Sequence, residues 1–452
     1  MQSVQSKNGY AMTTAACIWL GLFPLLQTGT YAHITRDKWI IMMILTGVTL
    51  ACFILDSVIF FLSQRKQSQD PQSTGEGSPR RSIVPLILAS ALLLWTVLSC
   101  FLSPYDPKIC LYGEGTRYEG LISQLCYFAL FFLFFFSRVS RKPLLISAAA
   151  GVLFFFVIVV LQRAGGNPLG LYPSGRSFNT NPEFLGTIGN IDMNTGYLLI
   201  MSGLLLYGML DPFMVPDASK LSFRLKPEGK ALVVAIISLA GFALCVYLII
   251  TMDVQFGAIG LAALLLFTVL RFLPRKWRLP LLILLIVLVL LAVWFWPGYG
   301  GGIWELHEIL HGRGRLSFGS NRVAVWVYCL GFAREHLLFG GGSGAFRLYF
   351  NQYLSDNNLV IPTEQDGVAL PAYFDTAHNE YIGQLTDHGL PALLFFLALI
   401  LVALFRRREA WFPCLSCCSA AVLCYAVQAL FSFSVCLVAP MFWVVLALSF
   451  RE

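Results

Sequence analysis

His378 sits in Asp375-Thr-Ala-His-Asn-Glu-Tyr-Ile-Gly-Gln-Leu385, a polar stretch that runs straight into the apolar segment Leu390–Phe405. An imidazole takes or gives a proton near neutral pH, so a histidine fixed at such a junction is a candidate general base. The plainer reading is a hydrogen-bonded loop histidine. Tyr381, Ile382 and Leu385 follow it at three, four and seven residues, a spacing that predicts one helix face shared with His378. Asp375 and Thr376 precede the pattern and are its expected caps. Arginine is the second residue type that carries chemistry. Arg117, Arg163, Arg176, Arg313, Arg315, Arg322, Arg334 and Arg347 all fall in connections assigned below to one side of a membrane, where Lys38 and Lys108 are the lysines. A general attraction to acidic lipid would use either residue, whereas the planar guanidinium fork suits bidentate phosphate contact. Arg322 opens a helical pattern with Trp326 one turn on. It reads as a phosphate contact or, more plainly, as an interface arginine with its stem along apolar surface.

Two further patterns bear on chemistry. Gly340-Gly-Gly-Ser-Gly344, followed by Ala345-Phe346-Arg347, can present backbone N–H groups to an anion at a helix start. It lacks the Lys-Ser/Thr ending of a nucleotide loop, and a tight turn is the alternative. His307-Glu308-Ile-Leu-His311 matches the zinc-protease pattern His-Glu-x-x-His. Gly312-Arg313-Gly314 breaks that helix at once, Arg313 and Arg315 would repel a metal, and no third ligand is obvious beyond Glu335.

The elements that must position these residues follow from composition. The 452 residues are 57% hydrophobic and 12% charged, with mean hydropathy +0.72. A soluble domain carries about 25% charge. Runs of roughly 20 apolar residues, enough to cross a bilayer, recur from end to end. The expected fold class is therefore all-α, a polytopic membrane protein. Twelve spans are expected near 11–32, 39–63, 83–102, 119–137, 143–163, 193–210, 231–251, 255–271, 279–297, 390–405, 412–430 and 433–450. No cleavable signal peptide is evident, and Tyr10–Gln27 reads as part of the first span. Most of the twelve cysteines lie inside apolar runs, Cys436 among them, where cysteine acts as a small hydrophobe. Cys414, Cys417 and Cys418 have no nearby histidine or second pair to complete a zinc site.

Charge sets the orientation. The connections 64–82, 138–142, 211–230, 271–278 and 406–411 hold the basic clusters and fall on one side of a twelve-span chain. By the positive-inside rule that side is the cytoplasm. The net charge of +7 is thus mainly a topology signal and does not argue for nucleic acid. Gln64–Ser82 reads as a flexible cytoplasmic linker. No internal repeat supports a transporter built from inverted halves. The other side carries long connections: Ser103–Tyr118, Ala164–Asp192 and above all Pro297–Gly389, many times the usual loop of about 4–6 residues. Within the last, Ile303–His311 and Asn321–Leu338 read as short helices, the second with apolar residues at Val323, Trp326, Val327 and Leu330. The expected organisation is spans one to nine in 1–297, an external catalytic loop in 298–389 and three spans in 390–452.

The order Arg322-x-x-x-Trp326, Phe339-Gly-Gly-Gly-Ser-Gly-Ala-Phe346, His378-Asn379-Glu380-Tyr381 and Gly389-Leu390 before a span resembles the O-antigen ligase/polymerase family. Gly186-Thr-Ile-Gly-Asn190 and Gly115-Thr-Arg117-Tyr-Glu-Gly120 resemble upstream elements of that family. The resemblance covers about residues 100–400. Members often carry an arginine two residues before Gly-Thr; Phe184 stands here, and Arg176 or Arg117 is the implied substitute. The resemblance implies a glycosyltransferase that moves a glycan from an undecaprenyl-diphosphate carrier to a hydroxyl acceptor on a lipid, glycan or protein. It would act on the outer face of the bacterial cytoplasmic membrane, with no metal and no cofactor. It implies His378 and Arg322 as catalytic, with Arg117, Arg176, Asn190, Gly342, Gly344, Arg347, Asn379 and Tyr381 around the substrate. Two other classes stay open: a membrane zinc metalloprotease using His307, Glu308 and His311, and a flippase or exporter of lipid-linked glycans, which would use the arginines without His378.

Overall fold

A computed structural model describes residues 9–67, 82–216, 221–223, 229–365, 368–371, 374–405 and 416–451; most of the 64–82 linker lies outside the described residues. The chain is all-α, with only two-residue to four-residue strand pairs between helices. Its helices are α1 (Tyr10–Cys17), α2 (Ile34–Gln67), α3 (Val84–Leu102), α4 (Pro107–Tyr112), α5 (Leu121–Phe136), α6 (Arg141–Arg163), α7 (Ile191–Leu210) and α8 (Gly229–Met252). They continue with α9 (Gln255–Phe272), α10 (Arg275–Trp294), α11 (Gly301–Leu310), α12 (Arg322–Glu335), α13 (Phe346–Asp356), α14 (Glu380–Leu404), α15 (Cys417–Gln428) and α16 (Ala439–Ser449). Among the described residues, eight helical stretches are long and apolar enough to cross a membrane, and four shorter apolar ones, Tyr10–Leu25, Leu121–Phe136, Cys417–Gln428 and Ala439–Ser449, stand at the other expected spans. The protein is a multi-pass membrane protein.

The bundle is built around α7. Nearly all of its side chains are buried, and it packs chiefly on α8 and α15. Glycine makes that approach possible: a Cβ at Gly203 would lie 2.4 Å from the Ala421 backbone nitrogen. The apolar surface of α10 is by contrast left outward, with Ile283, Val289 and Leu290 exposed. In a bilayer such side chains meet lipid tails and need no protein partner.

A second, separate core belongs to the connection between α11 and α14. Val325, Cys329 and Phe332 of α12 pack with Phe346, Tyr349 and Phe350 of α13 and with Ala377. Val327 and Leu330 are exposed, and the small and sulfur-bearing face of Ala324, Val325 and Cys329 is turned inward because α13 and α14 lie on that side. The helix start expected after Gly344 is that of α13, while the strand pair Pro362–Gln365 with Val368–Pro371 had no counterpart in the sequence reading.

Two expected spans have different limits. The helix before 390–405 begins at Glu380 and is kinked at Gly389, which has φ +84°. The kink exists because the Leu337–Leu338 backbone crosses there; Leu390 N–H donates to the Leu337 carbonyl at 2.8 Å. The last helix starts at Ala439 rather than 433, so Cys436 lies in an irregular connection between α15 and α16 and not in a span. Irregular backbone at the edge of a bundle is tolerated where protein groups satisfy it, and here carboxylates do so, as described next.

Candidate active site

Asn379 is the residue that ends the loop and starts α14. Its Oδ1 accepts from the N–H groups of Tyr381 (3.0 Å) and Ile382 (3.1 Å), and its Nδ2 donates to the Leu430 carbonyl at 2.9 Å. The expected caps do other work: Asp375 pairs with Arg117, and the Thr376 hydroxyl is buried without a partner among the described residues. With the cap at 379, His378 precedes the helix and does not share its face. It takes a left-handed backbone, φ +48°, which turns its ring away from the line of the helix. Tyr381 goes the other way and donates from its hydroxyl to the Ala426 carbonyl at 2.6 Å, tying α14 to α15.

His378 is joined to Arg322 through Trp326. The indole N–H of Trp326 donates to the Ala377 carbonyl at 2.9 Å, so the first turn of α12 is fastened to the residue before the histidine. The Arg322 guanidinium has no hydrogen-bonded or ion-paired partner among the described residues, yet its charge acts on both His378 and Asp192. Burial first, then Arg322, and less strongly Arg117 push the His378 imidazole down to about 4 against the opposing pull of Asp375. The ring is therefore neutral at physiological pH and free to accept a proton.

A cleft open to solvent lies next to this pair. Arg117, Gly344, Arg347 and Asn379 line it; Arg322, His378, Arg176, Asn190, Gly342 and Tyr381 do not. Phe433 is the partition. Arg117 lies over its face with the guanidinium carbon 4.6 Å from the ring centre, and His378 meets it edge-on at 5.3 Å. Arg117 Nε also donates to Asp375 at 2.8 Å. Arg347 stands 52% exposed on the first turn of α13, 4.0 Å from Glu114. Arg176 is exposed on a turn closed onto the Pro173 carbonyl. Asn190 caps α7, accepting from Asp192 N–H at 2.8 Å, and so helps to hold the acidic neighbour of Arg322.

The glycine run does not cradle an anion with the N–H groups first considered for that task. Those of Gly340, Gly341 and Gly342 donate to the carbonyls of His336, Thr386 and Asp387. The run is instead a seam of close backbone approach. A Cβ at Gly342 would meet Ser103, and one at Gly344 would lie 2.5 Å from the Gly113 Cα. From the other side α3 holds the seam: Trp95, Ser99 and Ser103 donate to the carbonyls of Leu338, Phe339 and Gly341.

At the His-Glu-x-x-His pattern on α11, Nδ1 of His307 is bound to the Val293 carbonyl and Nδ1 of His311 to the His307 carbonyl. Glu308 is engaged by Arg313 at 2.7 Å, which holds its carboxyl below the usual range. A metal there would have to displace that arginine.

Sequence reasoning passed over the acidic lining of the cleft and the segment that organises it. Glu119, Glu380 and Asp387 all line it. The Ser434 N–H donates to Glu380 and the Cys436 N–H to Glu119 at 2.7 Å, so Phe433–Cys436 gathers both carboxylates and the His378–Arg117 pair. Its apolar composition hid it inside an expected span; the one available signal was Glu119, a carboxylate beside a glycine at the mouth of α5. Residues 240–397 match the model of a family described as O-antigen ligase. That range holds both Arg322 and His378 and leaves Arg117, Glu119 and Phe433 outside. No curated protein matches the chain.

Proposed function

Residues 240–397 make the chain a member of the O-antigen ligase/polymerase family, and from that premise we propose that it transfers a glycan from an undecaprenyl-diphosphate carrier to a hydroxyl acceptor on the outer face of the cytoplasmic membrane. The observation that carries this reading is the coupling of a neutral imidazole, His378, to the Arg322 guanidinium, which has no hydrogen-bonded or ion-paired partner among the described residues, through the Trp326–Ala377 hydrogen bond. Nucleotide sugars are not present outside the cytoplasm, so a transferase there needs a preactivated donor tethered to lipid. The acceptor oxygen attacks the anomeric carbon, the bond to the diphosphate breaks, and the diphosphate leaves with the electron pair. Arg322 meets the charge that builds on it, and His378 takes the acceptor proton. The 298–389 segment then acts as the catalytic loop, and Arg117 and Arg347 present further positive charge at the cleft beside it.

The two residues should fail differently. In proteoliposomes loaded with lipid-linked glycan extracted from the host, His378→Ala should still bind donor but lose roughly 10²–10⁴ in transfer rate. Arg322→Ala should lose about 3 kcal/mol of transition-state stabilisation, and Arg322→Lys should keep the charge yet use donor poorly because the fork is gone. Wild-type transfer by His378→Ala would remove the base from the proposal; loss of donor binding in that variant would move His378 to the phosphate site.

A further inference from the structure

Three residues that line the same cleft each carry a buried oxygen without a hydrogen-bond partner among the described residues: Glu114 Oε2, Glu119 Oε2 and Thr376 Oγ1. A buried polar atom left unpaired forfeits its hydration without recompense, so native structures rarely keep several in one place without something to meet them. Glu119 is the most firmly held. Its other oxygen accepts from the Tyr127 hydroxyl at 2.8 Å and from the Cys436 N–H at 2.7 Å, which fixes the carboxyl and leaves Oε2 over. Glu114 is anchored through its own N–H on the Gly344 carbonyl. Thr376 follows Asp375, which is clamped by Arg117.

We propose that this cleft is a glycan subsite, in which sugar hydroxyls pair with Glu114, Glu119 and Thr376. The inference rests on the transferase reading and adds to it the place where the saccharide is held. The unmatched atoms are two carboxyl oxygens and one hydroxyl. A sugar hydroxyl donates and accepts at once and suits all three, and the guanidinium groups of Arg117 and Arg347 that also line the cleft are already set against Asp375 and Glu114. The cleft opens to solvent, so a saccharide can reach these residues from outside. The hydroxyls can come from the acceptor glycan or from the sugar of the donor; the chemistry is the same, and the assay separates them.

The test measures the KM for each substrate in turn, with the host's lipid-linked glycan as donor and its delipidated surface polysaccharide as acceptor. Thr376→Val keeps the shape and removes an unpaired hydroxyl, so its melting temperature should hold or rise. One of the two KM values should nonetheless rise about fivefold, with kcat within twofold. Glu119→Ala should raise the same KM at least tenfold, and Glu119→Gln should recover most of it, since an amide still pairs with a hydroxyl. Where Glu119→Ala fails to fold, Glu119→Met with Tyr127→Phe removes the carboxyl and its buried donor together and carries the same expectation. A raised acceptor KM assigns the cleft to the acceptor; a raised donor KM assigns it to the donor sugar. Unchanged KM values for both in Thr376→Val and the Glu119 variants overturn the subsite. A separate arm measures binding of the free delipidated polysaccharide and of oligosaccharide released from the donor, by saturation-transfer NMR without turnover. A wild-type protein that binds either one but transfers nothing sinks the transferase reading alone. A wild-type protein that binds neither, or variants that bind as well as wild type, sinks the subsite.

Discussion

At the residue scale, the proposed chemistry rests on a histidine whose surroundings suppress its charged form. Burial and two guanidinium groups hold His378 at about 4, against about 6.5 for a free imidazole. A base must be neutral to act, so activity is present above its pKa and is lost as pH falls through it. The acid limb of kcat/KM, which reports the free enzyme, should therefore lie near 4. The limb of kcat should lie higher, because a bound diphosphate offsets Arg322 and lets the imidazole protonate more readily. A pH–rate series in proteoliposomes checks both. A kcat/KM limb near 6.5 would mean that neither burial nor the arginines govern this ring. The same principle explains why Arg322 is poised: with no ion pair among the described residues, it need not break one before meeting an anion.

At the element scale, three devices place the site. The first is the Trp326–Ala377 bond between α12 and the loop that ends at α14. Trp326→Phe keeps the ring and removes the donor. It should cost about 1 kcal/mol in stability and, because misplacement of a catalytic group is expensive, about tenfold in kcat. A melt followed by circular dichroism, paired with the transfer assay, reads both; an unchanged rate would uncouple the indole from catalysis. The second is the kink in α14. A Cβ at Gly389 would lie 2.1 Å from the Leu338 carbonyl oxygen, at a backbone angle that side chains rarely adopt. Gly389→Ala should lose at least about 2 kcal/mol from strain and overpacking, whereas Gly47→Ala, where nothing lies within 4 Å, should be neutral or slightly stabilising. Equal melting temperatures for the two variants would contradict this account of the kink. The third device is the irregular Phe433–Cys436 segment, whose Ser434 and Cys436 N–H groups are spent on carboxylates.

At the scale of the whole molecule, a bundle centred on α7 carries a second core made by α12, α13 and the approach to His378. The proposed orientation puts that second core outside the cytoplasm and the basic connections inside it. Single cysteines at Ser73 and at the exposed Asn357, in a chain freed of its twelve native cysteines, should label with an impermeant thiol reagent from opposite sides. Labelling from one side would put the candidate site in the wrong compartment for a lipid-linked donor.

The class, and the places of the eight helices long enough to cross among the described residues, were legible in the chain because transfer of apolar residues into a bilayer depends on composition and length alone. The candidates Arg322 and His378, and the short helices α11 and α12, were legible too, since local spacing and helix-start signals are properties of neighbouring residues. What neighbours cannot carry is distance across the fold. The partnership of Arg322 with His378 depends on an indole reaching a carbonyl fifty-one positions away along the chain. The glycine run, which read either as an anion loop or as a tight turn, is a packing seam in which the Gly341 and Gly342 N–H groups meet carbonyls of α14 that no local pattern names. Phe433–Cys436 read as membrane, since its side chains are apolar, yet its backbone holds Glu119 and Glu380. The three unpaired oxygens of the cleft became visible only in the fold. An atom is unsatisfied only with respect to everything packed around it, and that is decided by tertiary structure.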